Sequence, residues 1–167
     1  MTTTTSTDLA ALAAAMTPFD VVRAQLGRQK WAVDTRDEAA LYDIYAEDGE
    51  LVLNTGGPHG TSEVSRVRGR DRIISFMVAG WARTAESWWP GSMVHHIGTQ
   101  IIEPTDEGTI RCRSYATYVH IESGATEVHG YGKYDDIWKP EDDTWRLASR
   151  NMCVYGLDLS PPPEPGR

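Results

Sequence analysis

The chain has very little cysteine: Cys112 and Cys153 stand alone in 167 residues, without a C-x-x-C spacing. That argues against a disulfide framework and suits free thiols in a reducing cytoplasm. Long hydrophobic runs are missing as well. No apolar window approaches the roughly 20 residues that a bilayer span requires, and the head "MTTTTSTDLAALAAAM" has no positively charged start. The chain therefore reads as a soluble cytoplasmic protein with no membrane partner. Basic clusters are absent, because the formal net charge is −8 and the acidic residues are spread along the chain. A phosphate backbone needs a basic stripe, so nucleic acid is not an expected partner.

What is present is one domain's worth of alternating signals, with no internal repeat and no linker. Thr17 is a good N-cap and Pro18 suits the first helical position, so a helix is expected over 18–34, with Phe19, Val22, Leu26 and Val33 at near-helical spacing. Asp37 then caps a second helix over 37–46, and Asp71 a third over 71–84, stopped by Pro90 and Gly91. Between them "GELVLNTGG" reads as a strand and "PHGTSEVSRVRGR" as a loop or irregular edge segment. From Met93 the pattern becomes β, with segments 93–103, 109–122, 125–138 and 144–156 joined by short turn-rich links. Helices first and strands afterwards predict an α+β domain, its helices packed on one face of a curved, mostly antiparallel sheet. Residues 1–16 read as a flexible head, 17–157 as the domain and the Pro-rich 158–167 as a tail.

The candidate chemistry lies in the strands. "MVHHIGTQI" places His95 and His96 side by side, and neighbouring strand residues point to opposite faces, so one site can use only one of them from this segment. In the next strand Cys112, Ser114, Ala116, Tyr118 and His120 share a face of small residues and polar tips, a mixture that suits a pocket lining. His96 would pack under the helices or donate to backbone. Glu127, His129, His95 and His120 are metal-ligating residue types, but no H-x-H or HExxH spacing is present and no metal or cofactor is expected. Gly-rich "NTGGPHG" lacks the lysine and strand-to-helix context of a phosphate loop.

Three elements in order carry a resemblance: Asp34 in "VDTRD" where the first helix ends, the "HHIG" strand, and His120 in "YVHIES" late in the following strand. Over residues 17–156 the chain resembles the NTF2-like α+β cone, and within it the SnoaL-like, scytalone dehydratase-like group. The resemblance implies a metal-free active site of Asp34, His95 and His120, and it selects His95 over His96. In that group tyrosines polarise the substrate carbonyl; Val33 and Leu53 occupy those positions here, leaving Tyr42, Tyr45, Tyr118 and Tyr131 as replacements. Trp31, Tyr42, Tyr118, Tyr131 and Asn151 are the candidate substrate-binding residues. An aspartate bonded to one imidazole nitrogen makes the other a general base, and a second histidine can assist a departing hydroxyl. The expected protein is a cofactor-independent lyase, dehydratase-like, or an isomerase acting on a small hydrophobic hydroxy-carbonyl metabolite. A cyclase or epoxide hydrolase of the same fold, or a non-catalytic binding or assembly module, are the alternatives. A homo-oligomer, dimer or trimer, is expected through the outer sheet face carrying Tyr115, Thr117 and Val119.

Overall fold

Thr17 caps the first helix as its sequence indicates. Its hydroxyl accepts from the Asp20 backbone N–H at 3.3 Å, and the Asp20 carboxylate accepts from the Thr17 backbone N–H at 3.0 Å, a reciprocal box that satisfies two orphan donors. The computed structural model describes residues 16–57, 60–83, 93–122 and 125–156. Helix α1 spans Pro18–Thr35 and ends where Arg36 turns left-handed, with φ 58°. The Asp37 carboxylate then accepts from the Ala40 N–H at 3.0 Å and starts α2, Glu38–Tyr42. Helix α3 spans Arg70–Arg83.

Six strands follow in one curved, unclosed sheet: β1 Tyr45–Gly57, β2 Gly60–Arg68, β3 Met93–Pro104, β4 Ile110–Glu122, β5 Ala125–Glu141 and β6 Thr144–Tyr155, in the order β2-β1-β6-β5-β4-β3. All neighbours are antiparallel except β1 and β6. The helices lie on one face. Val22 and Leu26 of α1, Leu41, Ile73 and Ile74 of α3, and Ile110, Trp138 and Leu147 of the sheet form the main core. The expected α+β architecture is the one observed.

Local readings needed correction at three places and were narrowed at a fourth. The second helix is shorter than 37–46, because Ile44, Tyr45 and Ala46 are all buried and the Ile44 carbonyl accepts from Leu147 N–H at 2.8 Å; pairing with β6 overrides helix propensity. Of the two readings of residues 60–68, loop or irregular edge segment, the edge holds: they form an edge strand, held partly by Arg66 and Arg68 on Glu50 across the ladder at 3.0 and 2.6 Å. Its side chains are mostly exposed, so no apolar alternation marked it. Asp71 lies inside the first turn of α3, whose first bond runs from Ile73 N–H to the Gly69 carbonyl. His96 is exposed on the outer face instead of packing under the helices. Pro90 and Gly91 lie outside the described residues, as do 1–15 and 157–167.

Cys112 is buried on the inner face of β4, whereas Cys153 is half-buried on β6; both are free thiols. No helix among the described residues is long and apolar enough to cross a membrane.

A salt bridge crosses the inner face. Arg150 of β6 and Asp136 of β5 are opposite in register, 1% and 0% exposed, and joined by two hydrogen bonds of 2.8 and 2.7 Å. The remaining arm of Arg150 donates to Gln29 of α1 at 2.7 Å, and Gln29 in turn donates to the Tyr45 hydroxyl at 3.4 Å. Removing one partner of such a pair leaves a buried charge without compensation. Arg150→Met or Asp136→Asn should each lower the unfolding free energy by about 3–5 kcal/mol in urea titrations, and the double replacement by apolar residues should lose less than either single change.

Candidate active site

Asp34 occupies the last turn of α1, facing β3. Its carboxylate takes two hydrogen bonds from one residue: His95 backbone N–H reaches Oδ2 at 2.9 Å, and His95 Nδ1 makes a short bond to Oδ1. The first bond locks the strand's position against the helix, and the second assigns the Nδ1–H tautomer, so the Nε2 lone pair is left for chemistry. Both side chains retain some accessible surface, 14% for Asp34 and 15% for His95. Burial pushes the His95 pKa down. The Asp34 bond opposes this, while the charges of Lys30 and Arg150 reinforce it, so the ring is neutral at pH 7.

Opposite His95 in register stands Tyr118 of β4. The two rings meet edge to face, with centroids 5.0 Å apart. The Tyr118 hydroxyl lies 2.9 Å from that of Tyr134 on β5, and burial pushes both phenols above their usual pKa, so they remain proton donors at neutral pH. Space for this pair depends on Gly132: a Cβ there would come within 2.5 Å of the Tyr118 oxygen. His120 is buried on the same inward face as Tyr118, two residues further along β4, with its ring edge-on to His129 at 5.0 Å between centroids. The face expected from strand alternation is the inward one, with Cys112, Ser114, Ala116, Tyr118 and His120 all buried.

Of the expected binding residues, only Tyr118 touches the Asp34–His95 pair. Trp31 is 73% exposed on α1 and points away from the sheet. Tyr42 is partly exposed beneath Arg70 at the end of α2. Tyr131 stacks on Tyr155, and Asn151 holds Asn54 at 2.7 Å; both belong to the outer face. Tyr45 is committed to Gln29. Leu53 packs in the second apolar cluster and Val33 against the main core.

Sequence reasoning missed Lys30, Tyr134, Asp136 and Arg150. Lys30 precedes Asp34 by four residues, so the two share a helix face, a spacing that could have drawn attention to it. The acid and the arginine carry a weaker signal, visible only once the strand register is known. Among the described residues no three His, Cys, Asp or Glu side chains converge as a metal site. A groove of about 340 Å³ lies on the outer face instead, lined by Thr99, Ile101, Arg113, Tyr115 and Lys133, and it contains neither member of the pair.

A SnoaL-like domain profile matches residues 20–151. The chain belongs to the SnoaL-like domain family. Solved structures agree on the fold. An NTF2-like protein with a cystatin-like fold from Novosphingobium aromaticivorans superposes with a TM-score of 0.66 at 20% identity, covering 95% of this chain and 94% of that one. A protein described provisionally as a scytalone dehydratase, from the same species, gives 0.60 at 18%, covering 90% and 88%. The beta subunit of a protein described provisionally as an aromatic-ring-hydroxylating dioxygenase, again from that species, gives 0.67 at 15%, covering 91% and 95%. No curated protein sequence matches the chain.

The lowered pKa of His95 has a consequence for the stability of this SnoaL-like domain. The unfolded state binds the imidazole proton more readily than the folded one, so stability is full above the unfolded value and falls as pH drops through the folded value. Urea midpoints should therefore decline below about pH 6.5. His95→Asn should flatten that part of the profile.

Proposed function

We propose that this SnoaL-like protein is a cofactor-independent lyase, dehydratase-like, that removes a proton next to a carbonyl of a small hydrophobic hydroxy-carbonyl metabolite. The observation that carries the reading is the double hydrogen bond from His95 to the Asp34 carboxylate, which fixes the tautomer and leaves Nε2 as a neutral base. When Nε2 takes the α-proton, Asp34 stabilises the imidazolium that forms. The Tyr118–Tyr134 hydroxyl pair supplies donors for the developing enolate oxygen, the part that Val33 and Leu53 do not play. His120, on the same inward face, assists departure of the β-hydroxyl as water. Double-bond isomerisation uses the same base and differs only in where the proton returns.

An assembly module is the second reading, favoured by the likeness to a dioxygenase beta subunit and by the exposed outer sheet face. That face carries Tyr115, 52% exposed, with Thr117 and Val119 half-buried beside it. Either reading is compatible with self-association through it. Sedimentation at tens of micromolar, where a micromolar interface is occupied, should give a dimer or trimer.

Proton abstraction can be tested without the natural substrate. α-Tetralone in deuterated buffer should exchange its α-hydrogens faster with the protein than without it, followed by proton NMR. His95→Asn should reduce the catalysed exchange by about 10²–10⁴-fold, as expected for loss of a general base. Asp34→Asn should reduce it less, because an amide still accepts the Nδ1–H. Tyr118→Phe should cost about 10²-fold if its hydroxyl stabilises the enolate. Undiminished exchange in the His95 variant would return that residue to a purely structural role.

A further inference from the structure

Lys30 is buried to 6% exposure on the inner face of α1, one turn before Asp34. Its Nζ sits 3.9 Å from the centre of the Tyr134 ring. A lysine in such a place normally needs a carboxylate partner. Two acids act on it electrostatically, yet both are engaged elsewhere: Asp136 holds Arg150 with both oxygens, and Asp34 holds His95 with both of its own. Among the described residues no carboxylate forms an ion pair with Lys30. The Arg150 guanidinium lies over the same Tyr134 ring, 4.7 Å from its centre. Desolvation, and then the positive charge of Arg150, drive the lysine pKa well below its ordinary value, and Asp136 and Asp34 offset this only in part. Both known ways of activating an amine, an apolar setting and an adjacent cation, are thus present together.

We propose that Lys30 is a covalent catalytic residue, forming an imine with the carbonyl of the substrate that His95 deprotonates. This rests on the reading of His95 as the base. The neutral Nζ adds to the carbonyl carbon. The carbonyl oxygen takes one proton from the nitrogen and one from solvent through the Tyr118–Tyr134 hydroxyl pair, which here serves the departing carbonyl oxygen rather than an enolate, and it leaves as water, so that a protonated imine remains. His95 Nε2 then removes the α-proton, the C–H electron pair moves toward the imine nitrogen as an enamine, and that pair returns to expel the β-hydroxyl, protonated by His120, as a second water. Addition of water to the resulting imine releases the unsaturated product and the free amine. No oxidant or reductant enters. The contacts from Nζ to Tyr134, from Tyr134 to Tyr118 and from Tyr118 to His95 join nucleophile, oxygen donors and base in one continuous chain of side chains. The substrate class narrows to ketones and aldehydes, because esters and acids do not form imines.

The test uses benzoylacetone, a 1,3-diketone that condenses with neutral lysines to a stable enaminone absorbing in the near ultraviolet. The full chain is treated at pH 7 and the adduct, one diketone less one water, is located by peptide mass mapping. Lys30 should label at least tenfold faster than Lys133 and Lys139, since each unit of lowered pKa raises the neutral amine about tenfold. Lys30→Met should remove the fast adduct without lowering the melting temperature, and should also abolish α-tetralone exchange. His95→Asn should still label at Lys30, so a wild-type protein that labels but exchanges no hydrogen would sink the base and leave the nucleophile standing. Labelling of Lys30 no faster than of the other lysines, or full exchange in Lys30→Met, would overturn the proposal.

Discussion

Arg150 is a guanidinium with no access to water, and the rest of the inner face is arranged to satisfy it. Its fork is met by Asp136 on the neighbouring strand, and its last arm by Gln29 on α1. A buried charge tolerates little misalignment, because a lost hydrogen bond there exposes the full desolvation cost. The helix is therefore pinned to the sheet at Gln29, with Lys30 and Asp34 carried on the same rigid element. From there Asp34 reaches β3 and takes both donors of His95. The geometry of the candidate site thus follows from the neutralisation of one cation on a strand that contributes nothing else to it.

Burial sets the protonation states nearby. Desolvation lowers His95 and Lys30, with the Arg150 charge reinforcing both, and raises Tyr118 and Tyr134, where Arg150 opposes it. The outcome is a neutral imidazole, an amine of lowered pKa and two protonated phenols linked by side-chain contacts. Groups pushed in opposite directions within one cluster are what the proposed proton transfer calls for.

Much of this was legible in the sequence where a residue's role depends on local periodicity. Strand alternation separated His95 from His96 and put His120 on the same face as Tyr118, and Asp34 meets His95 directly. Thr17, Pro18 and Asp37 announced two helix starts correctly. Trp31 and Asn151 misled because residue type suggests binding while face parity decides it, and parity on β6 is known only from its register with β5. Edge strand β2 was obscured by its charge, since cross-strand arginine and glutamate pairs replace the apolar alternation that identifies a strand. Lys30 was missed for a different reason: its spacing to Asp34 is visible, but a lysine on a helix is normally solvated, and only its packing over Tyr134 shows otherwise.

The single parallel contact in the sheet, β1 beside β6, joins segments from opposite ends of the chain; Asn54 and Asn151, which bond across it, are 97 residues apart in sequence. The Gln29–Arg150 bond spans 121. Pairings so remote must wait for loop closure and slow the folding of a domain. On a ribosome, Asp34 and His95 emerge well before the strand that anchors the Asp34 helix, so the nascent chain holds most of the candidate site's side chains with no frame to align them. The candidate site takes shape only when β6 docks, in one late step that completes the sheet and the electrostatics together.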